Sequence, residues 1–220
     1  MGTAKKSSAA RKARIAEMRR AEQARERRNR ILTIGASVVI VTGLVVGGVV
    51  LVQSQSDDSG SVASDSKSTG SFVTGKDGVK TWKGTLSRNH VTKAVKYPVQ
   101  PPVGGDHNPV WMNCNGDVYT EQINTTNAVH SLEHGAVWVT YNSEAKKADV
   151  DALAAKVRKT PYTLMSPVDD QQDPIMLTAW GHQRTVTGAD DPNVDAFLEK
   201  YVQGQQTPEP GAACTNGLSK

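Results

Sequence analysis

Cysteine is scarce in this sequence: its 220 residues hold two, Cys114 and Cys214. No Cys-x-x-Cys occurs, which argues against a dithiol redox site. No internal repeat is present, which argues against a solenoid or propeller array. Charge is missing from one long stretch, since the 22 residues 31–52 contain no Asp, Glu, Lys or Arg. A basic excess is missing from everything after residue 30. Residues 1–30 carry eleven Lys/Arg against three Glu, a net +8, so a total of +4 leaves −4 for the remaining 190 residues. The high isoelectric point therefore belongs to the N-terminal tail. It does not mark a nucleic-acid-binding domain, and no nucleic-acid partner is expected.

The uncharged stretch is apolar. Ile31 to Val52 is rich in Val, Ile, Leu, Gly and Ala. A helix of that length covers the ~30 Å hydrocarbon layer of a bilayer and satisfies its own backbone there. Arg27, Arg28 and Arg30 precede it, while Asp57 and Asp58 follow. The positive-inside rule then puts residues 1–30 in the cytoplasm and residues 53–220 outside. A cleaved signal peptide is the rival. It would have a shorter basic region, an apolar core of about 7–15 residues and a small-x-small site close behind. The expectation is an uncleaved single-pass anchor in the plasma membrane, with the lipid bilayer as a partner. Gly43 and Gly47 form a small-xxx-small pair that would let a helix of another membrane protein approach closely. Glycine is also common in membrane helices for no such reason.

The basic tail lacks a broad apolar stripe, so it does not read as a helix lying in the membrane surface. The segment after the span lacks apolar bulk. Eight Ser fall within residues 53–71, a composition that cannot bury enough surface to order itself. Residues 53–78 are read as a flexible, disordered linker, and residues 79–216 as one outer domain.

Within that domain, Val79–Gly84 and His90–Tyr97 suit short strands. Pro98, Pro101, Pro102, Gly104, Gly105 and Pro109 mark a long loop. Ala136–Tyr141 is β-branched and aromatic and predicts a strand. Apolar Val150, Leu153, Ala154 and Val157 recur at helical spacing in Lys147–Lys159, ended by Pro161. Tyr162–Met165 and Ile175–Trp180 predict further strands, the latter running on toward Val186. Asn193–Val202 predicts a second helix capped near Asp191 or Asn193. The fold class is α+β: a small, mostly antiparallel sheet with two helices on one face, behind one transmembrane helix.

Outside the cytoplasm the two thiols tend to pair. A disulfide would pin the weakly apolar C-terminal segment Pro208–Gly217. A thiolate metal ligand is the alternative.

Histidine carries the chemistry. The run Asn127-Ala-Val-His130-Ser-Leu-Glu133-His134-Gly135 places two imidazoles four apart, on one face if the run is helical, with Gly135 as its stop. Neutral imidazoles at that spacing can share Zn²⁺ or Cu²⁺, and His107 in the Gly-rich loop can supply a third ligand. Glu133 can serve as general base or support a ligand. The match to the inverted zinc-peptidase motif His-x-x-Glu-His is poor, because the helix would be one or two turns long. The bland alternative is a polar corner of mutually satisfied side chains. A copper centre would add sulfur from Met112, Met165 or Met176, residues more often found filling cores.

Pro101-Pro102, Gly105-x-His107-Asn108-Pro109, Trp111, Asn113-Cys114, Tyr119, the run from Asn127 to Trp138, Ala179-Trp180-Gly181 and Pro208-Glu-Pro-Gly211 with Cys214 together resemble domain-of-unknown-function family 3105. The resemblance spans about residues 79–216. It implies an actinobacterial-type envelope protein with a basic tail, one span and an outer domain, and it supplies no activity. Gly104-Gly105-Asp106-His107 stands where the family more often has Gly-Pro-His. Asn115 and Asp117 widen a segment that usually reads Cys-Gly-Val-Tyr.

Three functions compete. The sequence favours a non-catalytic accessory or scaffold protein of the cell envelope. The alternative is a zinc- or copper-binding domain using His107, His130 and His134. The third is a metal-dependent hydrolase with Glu133 as base, the one candidate for a catalytic group.

Overall fold

A computed structural model describes residues 64–65 and 68–220. The expected tail and span, and most of the Ser-rich stretch before residue 68, lie outside the described residues. Among the described residues, no helix is long and apolar enough to cross a membrane.

The sheet has seven strands in the order β2-β3-β9-β8-β6-β7-β5. They are β2 (Thr69–Thr74), β3 (Lys80–Thr85), β5 (Asn115–Val118), β6 (Val137–Tyr141), β7 (Thr163–Pro167), β8 (Ile175–Ala179) and β9 (His182–Thr185). A separate two-residue pair joins β1 (Ser64–Asp65) to β4 (Val95–Lys96). The helices are α1 (Thr125–Glu133), α2 (Lys147–Val157) and α3 (Pro192–Tyr201). Four of the six ladders in the large sheet are antiparallel, and β6–β7 and β5–β7 are parallel. The fold is α+β with a mostly antiparallel sheet, as the sequence predicts.

Three expectations need correction. Among the described residues the helices number three, and they cover both faces of the sheet. Val137, Val139, Met165, Ile175 and Leu177 point toward α2 and α3, which return Leu153, Val157, Val194, Phe197 and Leu198. The alternate residues Trp138 and Leu164 point the other way, toward Ala128, Val129 and Leu132 of α1. Strands buried on both faces read as continuous apolar runs, so their pattern does not reveal how many layers cover them. Burying one such side chain contributes roughly 1.5–3 kcal/mol.

The sheet also begins before Val79. β2 lies inside the segment read as linker and pairs along its length with β3, Thr69 opposite Thr85 through Thr74 opposite Lys80. Its sequence is polar because it is an edge strand, exposed except at Phe72. The Phe72 ring stands edge-on to Trp82, centroids 5.3 Å apart. Backbone ladder bonds do not depend on apolar content, so composition hides such a strand.

Third, His90–Tyr97 is not one strand. It contributes an isolated bridge at His90 and the two residues of β4. Asp106 fastens this stretch instead. Its Oδ1 accepts from the backbone N and the side-chain amide of Asn89, at 3.1 and 2.8 Å.

Cys114 and Cys214 form a disulfide across a sequence separation of 100. The pair is buried in the α1-side core beside Met112. Asn115 and Asp117, the two residues that widen their segment, bracket a slip in the β5–β7 register. Gly116 between them has φ +93° and approaches the carbonyls of Val157 and Arg158. The insertion is thus absorbed as a bulge.

Candidate metal centre

α1 positions the histidines. Asn124 caps its start, with the side chain accepting from Thr126 N at 3.0 Å. His134 caps its end, and Gly135 at φ +90° turns the chain into β6. The helix does form, and Gly135 does stop it. Ser131 Oγ donates to Met112 O at 2.8 Å, tying α1 to the loop that carries His107.

His107, His130 and His134 are buried, as is Glu133. Each of the three imidazoles donates its Nδ1–H to a backbone carbonyl at 2.7 Å: His107 to Gly105, His130 to Asn108, and His134 to Ala213. A carbonyl can only accept, so Nδ1 must carry the proton. In the neutral ring, Nε2 is then a bare lone pair. Metal-binding imidazoles are commonly oriented in this way.

Donor atoms of His90, His107, His130 and Glu133 all lie within 4.8 Å of one another. His107 and His130 ring centroids are 4.8 Å apart, and His90 lies 5.0 and 4.8 Å from them. A second group, His130, His134 and Glu209, overlaps the first through His130. His107 and His134, both predicted ligands, fall in different groups.

His107 Nε2 lies 2.9 Å from Glu133 Oε2. Both atoms are buried, and neither completes a hydrogen bond. Arg88 Nε stands 3.8 Å from Glu133 Oε1 and His90 Nε2 3.8 Å from Oε2. Burial raises the Glu133 carboxyl, but the His107 contact and the charges of His107, His130 and Arg88 outweigh it and hold it below the ordinary value. Burial, followed by the neighbouring His134, pushes His130 down to about 4 against the Asn108 hydrogen bond. Burial also lowers His134, opposed by Ala213 and Glu209.

The family model for proteins of unknown function DUF3105 matches residues 90–216. The chain belongs to the DUF3105 family. No curated protein and no solved structure matches it. In this DUF3105 domain the matched segment starts at His90 and takes in every member of both donor groups and both cysteines.

The spacing of the central run pointed to His130, Glu133 and His134. His90, Arg88 and Glu209 were missed, because they come from separate loops with no local pattern. The remaining histidine, His182, contacts Thr81 Oγ1 at 3.2 Å and stacks on Tyr201. The disulfide removes both thiolates as ligands. Met112 and Met165 pack within the apolar clusters.

Proposed function

We propose that this domain binds one zinc or copper ion through His90, His107, His130 and Glu133. The observation that carries the reading is the pair of buried acceptors, His107 Nε2 and Glu133 Oε2, facing each other at 2.9 Å without a hydrogen bond. A bare Nε2 and a carboxylate oxygen at that separation repel unless a proton or a metal cation lies between or beside them. Nitrogen and carboxylate donors suit Zn²⁺ or Cu²⁺. Bonds of about 2.0–2.1 Å in a tetrahedral set need donors roughly 3.4 Å apart. On binding, the His107–Glu133 pair would open from 2.9 Å while the wider pairs contract, and His90, half exposed, is the member with room to move. Glu133 acts as a donor in this arrangement, which leaves it unsuited to be the free base of a hydrolase.

The test uses the full-length protein saturated with Zn²⁺ or Cu²⁺ and dialysed. Elemental analysis should return one ion per chain, lost in His107→Ala and His130→Ala. A saturated protein that retains no metal would sink the reading.

The sequence supports the further proposal that Ile31–Val52 anchors this domain on the outer face of the plasma membrane, where an accessory role in an envelope assembly is compatible with metal binding. Protease added to intact cells should then remove the C-terminal domain. Protection of that domain would count against the anchor's orientation.

A further inference from the structure

The two donor groups share His130. Its Nδ1 is committed to the Asn108 carbonyl, so it has one lone pair to give, on Nε2. An ion held with His90, His107 and Glu133 and an ion held with His134 and Glu209 would compete for that lone pair. The two groups are alternative positions for one ion. Each ends on one exposed member, His90 at 47% and Glu209 at 46%, but the first has three buried donors and the second two.

We infer that His134 and Glu209 form a loading position through which a divalent cation reaches the buried centre, handed over by ligand exchange at His130. The inference rests on the metal-binding reading above. In the exchange, the ion keeps its bond to His130 Nε2. The bonds to His134 and Glu209 break as those to His90, His107 and Glu133 form, and no electron is transferred.

Charge separates this route from the other opening. His90 also reaches solvent, but the Arg88 guanidinium shares the Glu133 carboxylate with it, Arg88 Nε 3.8 Å from Oε1 and His90 Nε2 3.8 Å from Oε2. A cation approaching there meets like charge. On the other side it meets the Glu209 carboxylate. Both charges lie well inside the ~10 Å screening length at 0.1 M salt, so the difference bears on the approach of an ion.

Glu209 is more than a stray surface acid. Its backbone N donates to Glu133 O at 3.1 Å. Gly211 N donates to Gln203 Oε1 at 2.9 Å, while Gln203 Nε2 donates to His134 O. The disulfide at Cys214 fastens the far end of the segment. Behind the carboxylate sits His134, 4% exposed, with Nδ1 pinned and Nε2 3.7 Å from Glu209 Oε2. A buried imidazole with its free nitrogen turned toward a half-exposed carboxylate is a built pair of cation donors. The Trp111 ring borders both imidazoles, 5.0 Å from His134 and 5.7 Å from His130, and so reports on the passage.

Stopped-flow quenching of tryptophan fluorescence by Cu²⁺, with the full-length protein in mild detergent, tests the route. Glu209→Gln should still bind one Cu²⁺ per chain with a Kd within about twofold of wild type. Its association and dissociation rates should both fall about tenfold, because a route speeds passage in either direction without changing the end states. The difference should shrink as salt is raised. His134→Gln, its fold checked by circular dichroism, should behave alike. Unchanged rates in Glu209→Gln, a large loss of its affinity, or two ions per chain in the wild type would overturn the loading role. A wild type that binds no Cu²⁺ would instead refute the metal-binding reading beneath it.

Discussion

His107 Nε2 and Glu133 Oε2 face each other at 2.9 Å inside the protein, and neither atom completes a hydrogen bond. The contact joins a loop residue to a helix residue. The loop is held by the Asp106–Asn89 clamp, and the helix by Ser131 and its Asn124 cap. Both supports keep the pair together in the metal-free protein.

Glu133→Gln should therefore separate stability from binding. The new amide can donate to His107 Nε2, replacing an acceptor–acceptor contact with a hydrogen bond of about 1 kcal/mol. Against that gain stands the loss of the Arg88 and His107 interactions that hold the carboxylate ionised, so metal-free Glu133→Gln should lie within about 1 kcal/mol of wild type in urea at pH 7.5. Its Zn²⁺ affinity should fall roughly 100-fold, since the charged donor is gone. A variant that is clearly less stable without metal, yet binds Zn²⁺ normally, would show that the carboxylate serves the fold alone.

Loss of the disulfide should cost far more. In the chain-entropy picture, closing a loop of about 100 residues is worth up to about 4.7 kcal/mol. The double variant Cys114→Ala/Cys214→Ala should lose several kcal/mol in urea titration. It should also loosen the segment that supplies the Ala213 carbonyl to His134. A midpoint shift worth under about 1 kcal/mol would mean that the core around Met112 holds the tail unaided.

Acid should destabilise the metal-free protein. His130, His134 and His182 are all lowered from 6.5, in each case chiefly by burial. A histidine held neutral by the fold leaves stability intact above the unfolded value. Below it the unfolded chain binds the proton more tightly, so stability falls with pH. For His130 the loss continues to about pH 4. Glu133, lowered from 4.5, adds a loss of the same sign below its unfolded value, while Asp117, raised by burial, opposes it. Urea midpoints measured in EDTA should decline steadily from pH 7 to pH 5. A flat profile over that range would contradict the placement of these rings.

The helix that carries His130, Glu133 and the His134 cap was legible because its signals are local: a glycine stop at Gly135 and imidazoles four apart. The two long helices and strands β6 to β8 were legible for the same reason, since apolar periodicity is written in adjacent residues. β2 was not, because an edge strand of Thr, Gly and Ser is held by its partner's backbone. His90 and Glu209 were not, because nothing near them in the chain marks them.

By itself the sequence determined the fold class, the stop at Gly135, the scarcity that left two cysteines to pair, and the uncharged run of Ile31–Val52. Tertiary structure alone decided that the sheet is covered on both faces, that His107 and His134 belong to different donor groups, and that His90 and Glu209 complete them. Local order depends on neighbours a few residues apart, which a sequence displays. A metal centre depends on donors converging from segments far apart in the chain, and only the packed chain sets those distances.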